Sequence, residues 1–292
     1  MVPHASDEVS SNMTTLVAWL GVDSRGPASV YLASDSRITW GESASWDRGR
    51  KLFVCRQQPY LFGYCGEAFF PSQVLGQVIE RIDADLLRAA DPDDLTHQVV
   101  SVVHDMLRDR PSAVRGEFQV ILAQRFGRGM SSTFHLHAGR FPSSGAPDIR
   151  RYALPEHSDV IGAWGSGAST FKHHYARWAS SDVKGTSRAM FSAFCDSVAA
   201  GSDALTGPPP QLIGIYRIGA GRPFGLIWDG RRHYYATEVT GEVETRDVQW
   251  HNALFEICDP QTLERAIGAQ PQPRPLQVRN TLAQGKTGEQ QA

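Results

Sequence analysis

The chain has no apolar run long enough for a membrane. No stretch approaches the roughly 18 apolar residues of a spanning helix, so a membrane partner is not expected. Residues 1–13 lack the apolar core of a secretory signal. Cysteine is scarce. Cys55, Cys65, Cys195 and Cys258 form no CxxC pair, which excludes a disulfide framework or a cysteine zinc site and fits free thiols in a reducing cytoplasm. Charge of one sign is also lacking. Lys and Arg number 29 against 31 Asp and Glu, for a net charge of −2, so no nucleic-acid partner is expected. Neither a G-x-S-x-G elbow, an H-E-x-x-H pair nor a phosphate-binding glycine loop is present. Neither a cofactor nor a metal is expected.

Apolar residues make up 41% of the 292 positions, enough for one substantial core. Residues 1–13 are polar and aperiodic, and 269–292 are rich in Gln, Pro, Gly and Lys. The first segment is expected to be a disordered leader, or residues upstream of a true start at Met13. The second is expected to be a disordered tail. Without a linker or repeat between them, 14–268 is expected to be one domain.

The domain opens with β-rich runs at 14–21 and 29–34 around a Gly/Pro turn, the pattern of a hairpin. A second pair follows at 51–56 and 59–64. The period then becomes helical over 71–90 and 91–110. Asp91 can cap the second helix, with Pro92 at its first position and acids facing the positive dipole end. Strands are expected at 118–123, 133–137 and 149–154, helices at 169–179 and 187–200, strands at 211–218, 224–228 and 233–239, and a last short helix at 259–267. Hairpin-linked strands with paired helices between them indicate an α+β fold of antiparallel sheets covered by helices. A four-layer α-β-β-α sandwich fits this order without being required by it.

Thr14 opens the first run. A threonine hydroxyl is a weak nucleophile until a base takes its proton, and a threonine at a chain N-terminus supplies that base as its own α-amine. Loss of residues 1–13, or initiation at Met13 followed by removal of that Met, would expose it. Asp35 and Lys51 can form a pair that tunes a neighbouring hydroxyl. Alone, each has an ordinary surface reading.

Together these residues resemble a known family. Thr14-Thr15-Leu16, Asp35-Ser36-Arg37-Ile38-Thr39, Lys51 and Gly63-Tyr64-Cys65-Gly66 look like the first third of a proteasome β subunit, and of the peptidase of the bacterial two-component ATP-dependent protease. The steps of sixteen positions from Asp35 to Lys51 and fifteen from Lys51 to Gly66 match the family pattern. Trp164-Gly165-Ser166-Gly167 resembles its GSG element, and Asp203-Ala204-Leu205-Thr206-Gly207 its D-x-x-S-G element, with Thr206 for Ser.

The resemblance implies the four-layer sandwich of an N-terminal-nucleophile hydrolase, with two antiparallel sheets between helix layers. It implies Thr14 as nucleophile of a threonine-type peptidase or amide hydrolase, with Lys51 lowering the hydroxyl pKa and Asp35 holding Lys51. Ser166, Asp203 and Thr206 would orient the amine. The N–H of Cys65, beside Gly66, would receive the oxyanion. Arg37, Thr39 and Cys65 would bind the substrate main chain as an added strand, with Gly63 at the floor of a roomy specificity pocket. Cys65 stands where the family has glycine, which would put a side chain in the cleft. Met13 replaces the glycine of self-cleaving precursors and favours initiation at Met13. A polypeptide or amide substrate, a homo-oligomeric ring and an ATPase unfoldase are the implied partners, in the cytoplasm. A small-amide hydrolase or acyl transferase on the same fold, and a non-catalytic structural subunit, are the alternatives.

His135 and His137 share a strand face but have no apparent third metal ligand, so surface histidines are expected. His173 and His174 are expected on a helix face. Cys65 lacks a partner base and is not taken as a nucleophile.

Overall fold

The computed structural model describes residues 14–40, 44–109, 116–242, 248–276 and 278. The expected leader at 1–13 and most of the expected tail lie outside them. In chain order the elements are β1 (Leu16–Asp23), β2 (Gly26–Ser34), β3 (Ile38–Trp40), β4 (Ala44–Trp46), β5 (Leu52–Val54), β6 (Tyr60–Gly66), α1 (Phe69–Asp83) and α2 (Pro92–Arg108). Next come β7 (Phe118–Phe126), β8 (Thr133–Phe141), β9 (Asp148–Tyr152), β10 (Asp159–Trp164), α3 (Ala168–Ala179) and α4 (Ser187–Ala199). The chain continues through β11 (Gln211–Tyr216), β12 (Arg222–Pro223), β13 (Gly225–Trp228), β14 (Arg231–Tyr234), β15 (Thr237–Glu238), β16 (Trp250–Asn252) and β17 (Ile257–Cys258).

Two five-stranded sheets carry the fold. The first runs β10-β1-β2-β11-β12 and the second β5-β6-β7-β8-β9, all pairs antiparallel. Alternation along the strands assigns each residue to a face. Leu16, Ala18 and Leu20 of β1 pack with Leu52, Leu61, Cys65 and Ile121, between the sheets. Val17 and Trp19 pack instead with Phe171, Trp178, Phe191 and Phe194 of α3 and α4. On the second sheet, Phe62, Tyr64, Phe118 and Val120 pack against Val74, Leu75, Leu95 and Val99 of α1 and α2. Both faces of each sheet are therefore apolar, which is why β1 reads as a continuous hydrophobic run. Each fully buried Leu or Phe contributes about 1.5–3 kcal/mol.

The caps follow local chemistry. Asp91 Oδ1 accepts from the N–H groups of Asp93 and Asp94 at 2.9 and 2.8 Å, as its position before Pro92 predicts. Thr186 caps α4 by accepting from Ala189 N–H.

Three regions depart from the sequence reading. The short β3–β4 hairpin is absent from it. So is a third sheet, β15-β14-β13-β16-β17, in which β13 and β16 run parallel. The helix expected over 259–267 does not form. Asp259 Oδ1 accepts from Gln261 and Thr262 N–H, Leu263 takes a φ of 64°, and Arg265 bridges back to Cys258. A side chain that captures the local amides in this way competes with the helix. Beyond it, the start of the expected tail packs on the helices. Arg274 Nη1 lies 2.7 and 2.6 Å from the two carboxylate oxygens of Asp196 in α4, and Val278 is buried beside α3 and α4. Among the described residues no helix is long and apolar enough to cross a membrane.

Candidate active site

The site lies where β1 begins, β2 ends and the chain enters β5. Leu16 pairs with Ser34, and Asp35 N–H donates to Thr15 O at 3.2 Å, so Thr14 and Thr15 extend β1 beside the Asp35 turn. Asp35 is completely buried and gathers four donors. Lys51 Nζ at 2.8 Å and Thr15 N–H at 3.0 Å reach Oδ1, and the N–H groups of Arg37 and Gly207, both at 3.0 Å, reach Oδ2. Lys51 is likewise completely buried. Burial pulls its ammonium below the ordinary lysine value, against the opposing attraction of Asp35.

A second arm approaches from the other side. Ser166 Oγ donates to Asp203 Oδ2 at 2.7 Å, and Thr206 Oγ1 donates to the same oxygen at 2.7 Å. Thr206 Oγ1 also lies 2.7 Å from Thr15 Oγ1. A hydroxyl has one proton. Since Thr206 gives its proton to Asp203, Thr15 is the donor to Thr206. The Gly165–Gly167 turn closes this arm, with Gly167 N–H donating to Thr14 O at 3.4 Å. A Cβ on Gly167 would stand 1.7 Å from Thr15 Oγ1 and 2.8 Å from Thr206 Oγ1. Only hydrogen fits there, which gives the GSG element a steric cause.

Thr14, Asp35, Lys51, Ser166, Asp203 and Thr206 are thus brought to one place. Sequence reasoning missed Thr15, which makes the direct contacts to both arms. The signal was the Thr-Thr pair itself, since adjacent strand residues face opposite sides. Thr14 is 1% exposed and has a φ of 102°, an outlier for a β-branched residue.

Cys65 is placed differently from its sequence reading. Its side chain is fully buried between the sheets rather than in a cleft, and burial lifts its thiol to about 12. Tyr64 N–H donates to Lys51 O across β5, and Glu67 N–H donates to Glu117 O, continuing the β7 side. Antiparallel strands alternate these directions. The N–H of Cys65 therefore faces β7 within the ladder, and that of Gly66 faces the side of β5 and Lys51. Gly63 has no open space above it, because a Cβ there would lie 2.5 Å from Leu16 Cδ1 and 3.0 Å from Leu52 Cδ2. The smallness of Gly63 is accounted for by sheet-to-sheet contact.

Arg37 forks onto Asp47, Nε to Oδ1 at 2.7 Å and Nη2 to Oδ2 at 2.8 Å, and reaches Ala204 O at 3.1 Å. It ties the loop before Lys51 to the Asp203 turn, and the Asp47 carboxylate raises its pKa. Asp47 carried no sequence signal. Thr39 sits half-buried on β3, opposite Ser45.

His137, expected at the surface, is instead buried, with Nε2 2.8 Å from Asp93 and Nδ1 3.2 Å from Gln124, and His135 is half-buried beside Thr133 and Arg151. No His, Cys, Asp and Glu cluster among the described residues could hold a metal ion.

No protein-family model matches the chain, and no curated protein matches its sequence. Among solved structures it is similar to the eukaryotic HslV from Trypanosoma brucei, at 13% identity and a TM-score of 0.42, over 69% of this chain and 99% of that one.

Proposed function

We propose that the chain is a proteasome-like threonine-type peptidase or amide hydrolase, with Thr14 as its nucleophile once residues 1–13 are gone. The order of α1 and α2, second sheet, first sheet, and α3 and α4 is read as the four-layer α-β-β-α sandwich of N-terminal-nucleophile hydrolases. The observation that carries the proposal is the convergence of two separate polar arms on Thr15, the residue that follows Thr14. One is the fully buried Lys51–Asp35 pair, with Lys51 Nζ 2.8 Å from Oδ1. The other is Ser166–Asp203–Thr206. Perturbed, buried charge of this kind is costly as mere structure and clusters at reactive sites.

The backbone of Thr14 supports removal of the preceding residues. A φ of 102° at a β-branched residue costs on the order of 1–3 kcal/mol. That angle exists only while residue 13 is attached, so cleavage removes the strain and creates the amine together.

The reaction runs as acyl transfer. Thr14 Oγ forms a bond to the substrate carbonyl carbon, and its proton passes to the Thr14 α-amine. The carbonyl electron pair moves to oxygen, which the Gly66 N–H receives. One such donor is worth about 3 kcal/mol. The Lys51 ammonium favours the developing alkoxide, and Asp35 holds it there. The C–N bond then breaks, and the proton on the Thr14 amine passes to the leaving nitrogen. Water then bonds to the ester carbonyl carbon as it gives a proton to the same amine, the acyl C–Oγ bond breaks, and that proton passes to Thr14 Oγ, which restores the hydroxyl and releases the carboxylic acid. Asp203, Ser166 and Thr206 keep the Thr14–Thr15 dipeptide oriented. The substrate on this reading is a polypeptide or an amide.

The test is to trap the acyl-enzyme with an activated ester and map the modified residue by peptide mass. Acyl mass on Thr14, absent in Thr14→Ala of unchanged fold, is the expected result. Acylation elsewhere, or full turnover by Thr14→Ala, overturns the proposal.

A further inference from the structure

Gln211 opens β11 and is completely buried. Its Nε2 shares two protons among three acceptors, Gly49 O at 2.8 Å, Ser36 Oγ at 3.0 Å and Asp35 O at 3.1 Å, and its Oε1 accepts from Lys51 N–H at 3.1 Å. The amide thus holds the main chain of both members of the ion pair at once. Asp35 follows β2 in the first sheet, and Lys51 leads into β5 in the second. A backbone bond from Gly49 N–H to Ser36 O at 2.9 Å joins the same two segments, and Gln211 adds the contacts to the main chain of Asp35 and Lys51 themselves. Ser36, which Gln211 touches, is itself pinned through Oγ to Pro209 O at 2.6 Å and through N–H to Gly207 O at 2.9 Å. The bridge is therefore anchored on the segment that carries Thr206.

We infer that Gln211 is a positioning residue, fixing where the Lys51 side chain stands relative to Asp35 and to the start of β1. Its kinetic consequence rests on the proposed function, whereas its effect on Lys51 does not. A methionine of similar size would fill the space but leave the Lys51 amide and the Gly49 and Asp35 carbonyls without the Gln211 partner in a dry interior, a cost that the surrounding chain relieves by moving. The charged or titratable groups acting on Lys51 are Asp35, Asp47 and Cys65. A glutamate at position 211 would add a carboxylate on the main-chain side of the pair and favour the ammonium.

The test uses the protein carried to a mass that begins at Thr14, with Gln211→Met and Gln211→Glu compared to wild type for thermal unfolding, for reaction with a peptide epoxyketone, and for titration of Lys51 by NMR of labelled lysine. Displacement of a catalytic group by about 1 Å costs about 10²-fold. Gln211→Met is therefore expected to lose that much in the first-order rate of adduct formation, while the inhibitor concentration at half-maximal rate changes little. In Gln211→Glu, Lys51 is expected to titrate at higher pH than in wild type. A folded Gln211→Met with wild-type chemistry overturns the inference, as does a folded Gln211→Glu with an unmoved Lys51. A loss in rate matched by equal loss of binding and stability assigns Gln211 to structure alone, and so does failure of both variants to fold. If wild type itself forms no adduct, the Thr14 reading falls, and the Lys51 titration still decides the role of Gln211.

Discussion

Thr15 donates its hydroxyl proton to Thr206, 2.7 Å away, and so joins the first strand to the Ser166–Asp203 arm. Its N–H meanwhile donates to Asp35 at 3.0 Å. The residue after the proposed nucleophile, rather than the nucleophile, is thus the one both polar arms hold. Replacing Thr15 by the near-isosteric Val leaves Thr206 without its donor. The expected cost is about 1–2 kcal/mol of stability, read from urea denaturation, and at least a tenfold loss of turnover.

The buried ion pair gives a sharper expectation. Asp35→Asn leaves Lys51 charged in a dry site, and Lys51→Met leaves the Asp35 carboxylate without its cation. Each single change is expected to destabilise by about 3–5 kcal/mol. Turnover should fall nearly to background in both. The double variant should be more stable than the sum of the two losses predicts. Strict additivity in denaturant would show that the two groups do not act as a pair.

Two glycines provide a steric contrast. Gly167→Ala drives a methyl to within 1.7 Å of Thr15 Oγ1, so a loss of about 1–3 kcal/mol is expected, with activity lost alongside. A methyl added at Gly76 in α1 would meet no atom within 4 Å, and Gly76→Ala is expected to add up to about 1 kcal/mol. Paired melting curves decide both.

His251 predicts a pH response away from the site. Burial against Phe255 and Phe224 lowers its pKa from the ordinary 6.5 to about 4. The unfolded chain therefore binds more protons between these values, and stability rises with pH across that window. The contribution is complete above pH 6.5 and is lost as pH falls toward 4, about 3 kcal/mol in all. His251→Phe should flatten the difference in urea midpoint between neutral and mildly acid pH. An unchanged slope would contradict it.

The parts of the site that were legible in the sequence came through the family resemblance, in which Asp35, Lys51, Ser166 and Asp203 stand in motifs of set order and spacing. Outside the site, Asp91-Pro92 writes its own helix cap. What stayed hidden depends on register between distant strands. Gln211 reads as an ordinary polar residue at a strand start until β11 lies beside β2. The N–H of Cys65 or of Gly66 can be chosen only once β6 is paired on both sides. The segment 259–267 has the Leu, Glu, Arg and Ala of a helix, but Asp259 captures its first amides and Cys258 pairs with Arg265. Gly63, read as pocket floor, is claimed by Leu16 from the facing sheet.

The most direct test of Thr14 as nucleophile is the intact mass of the protein, expressed from its native start region, before and after a peptide epoxyketone. That reagent closes a ring using both the hydroxyl and the free amine of an N-terminal threonine. The account predicts a chain beginning at Thr14 that gains one inhibitor per chain. A chain that keeps residues 1–13 and gains none would contradict it.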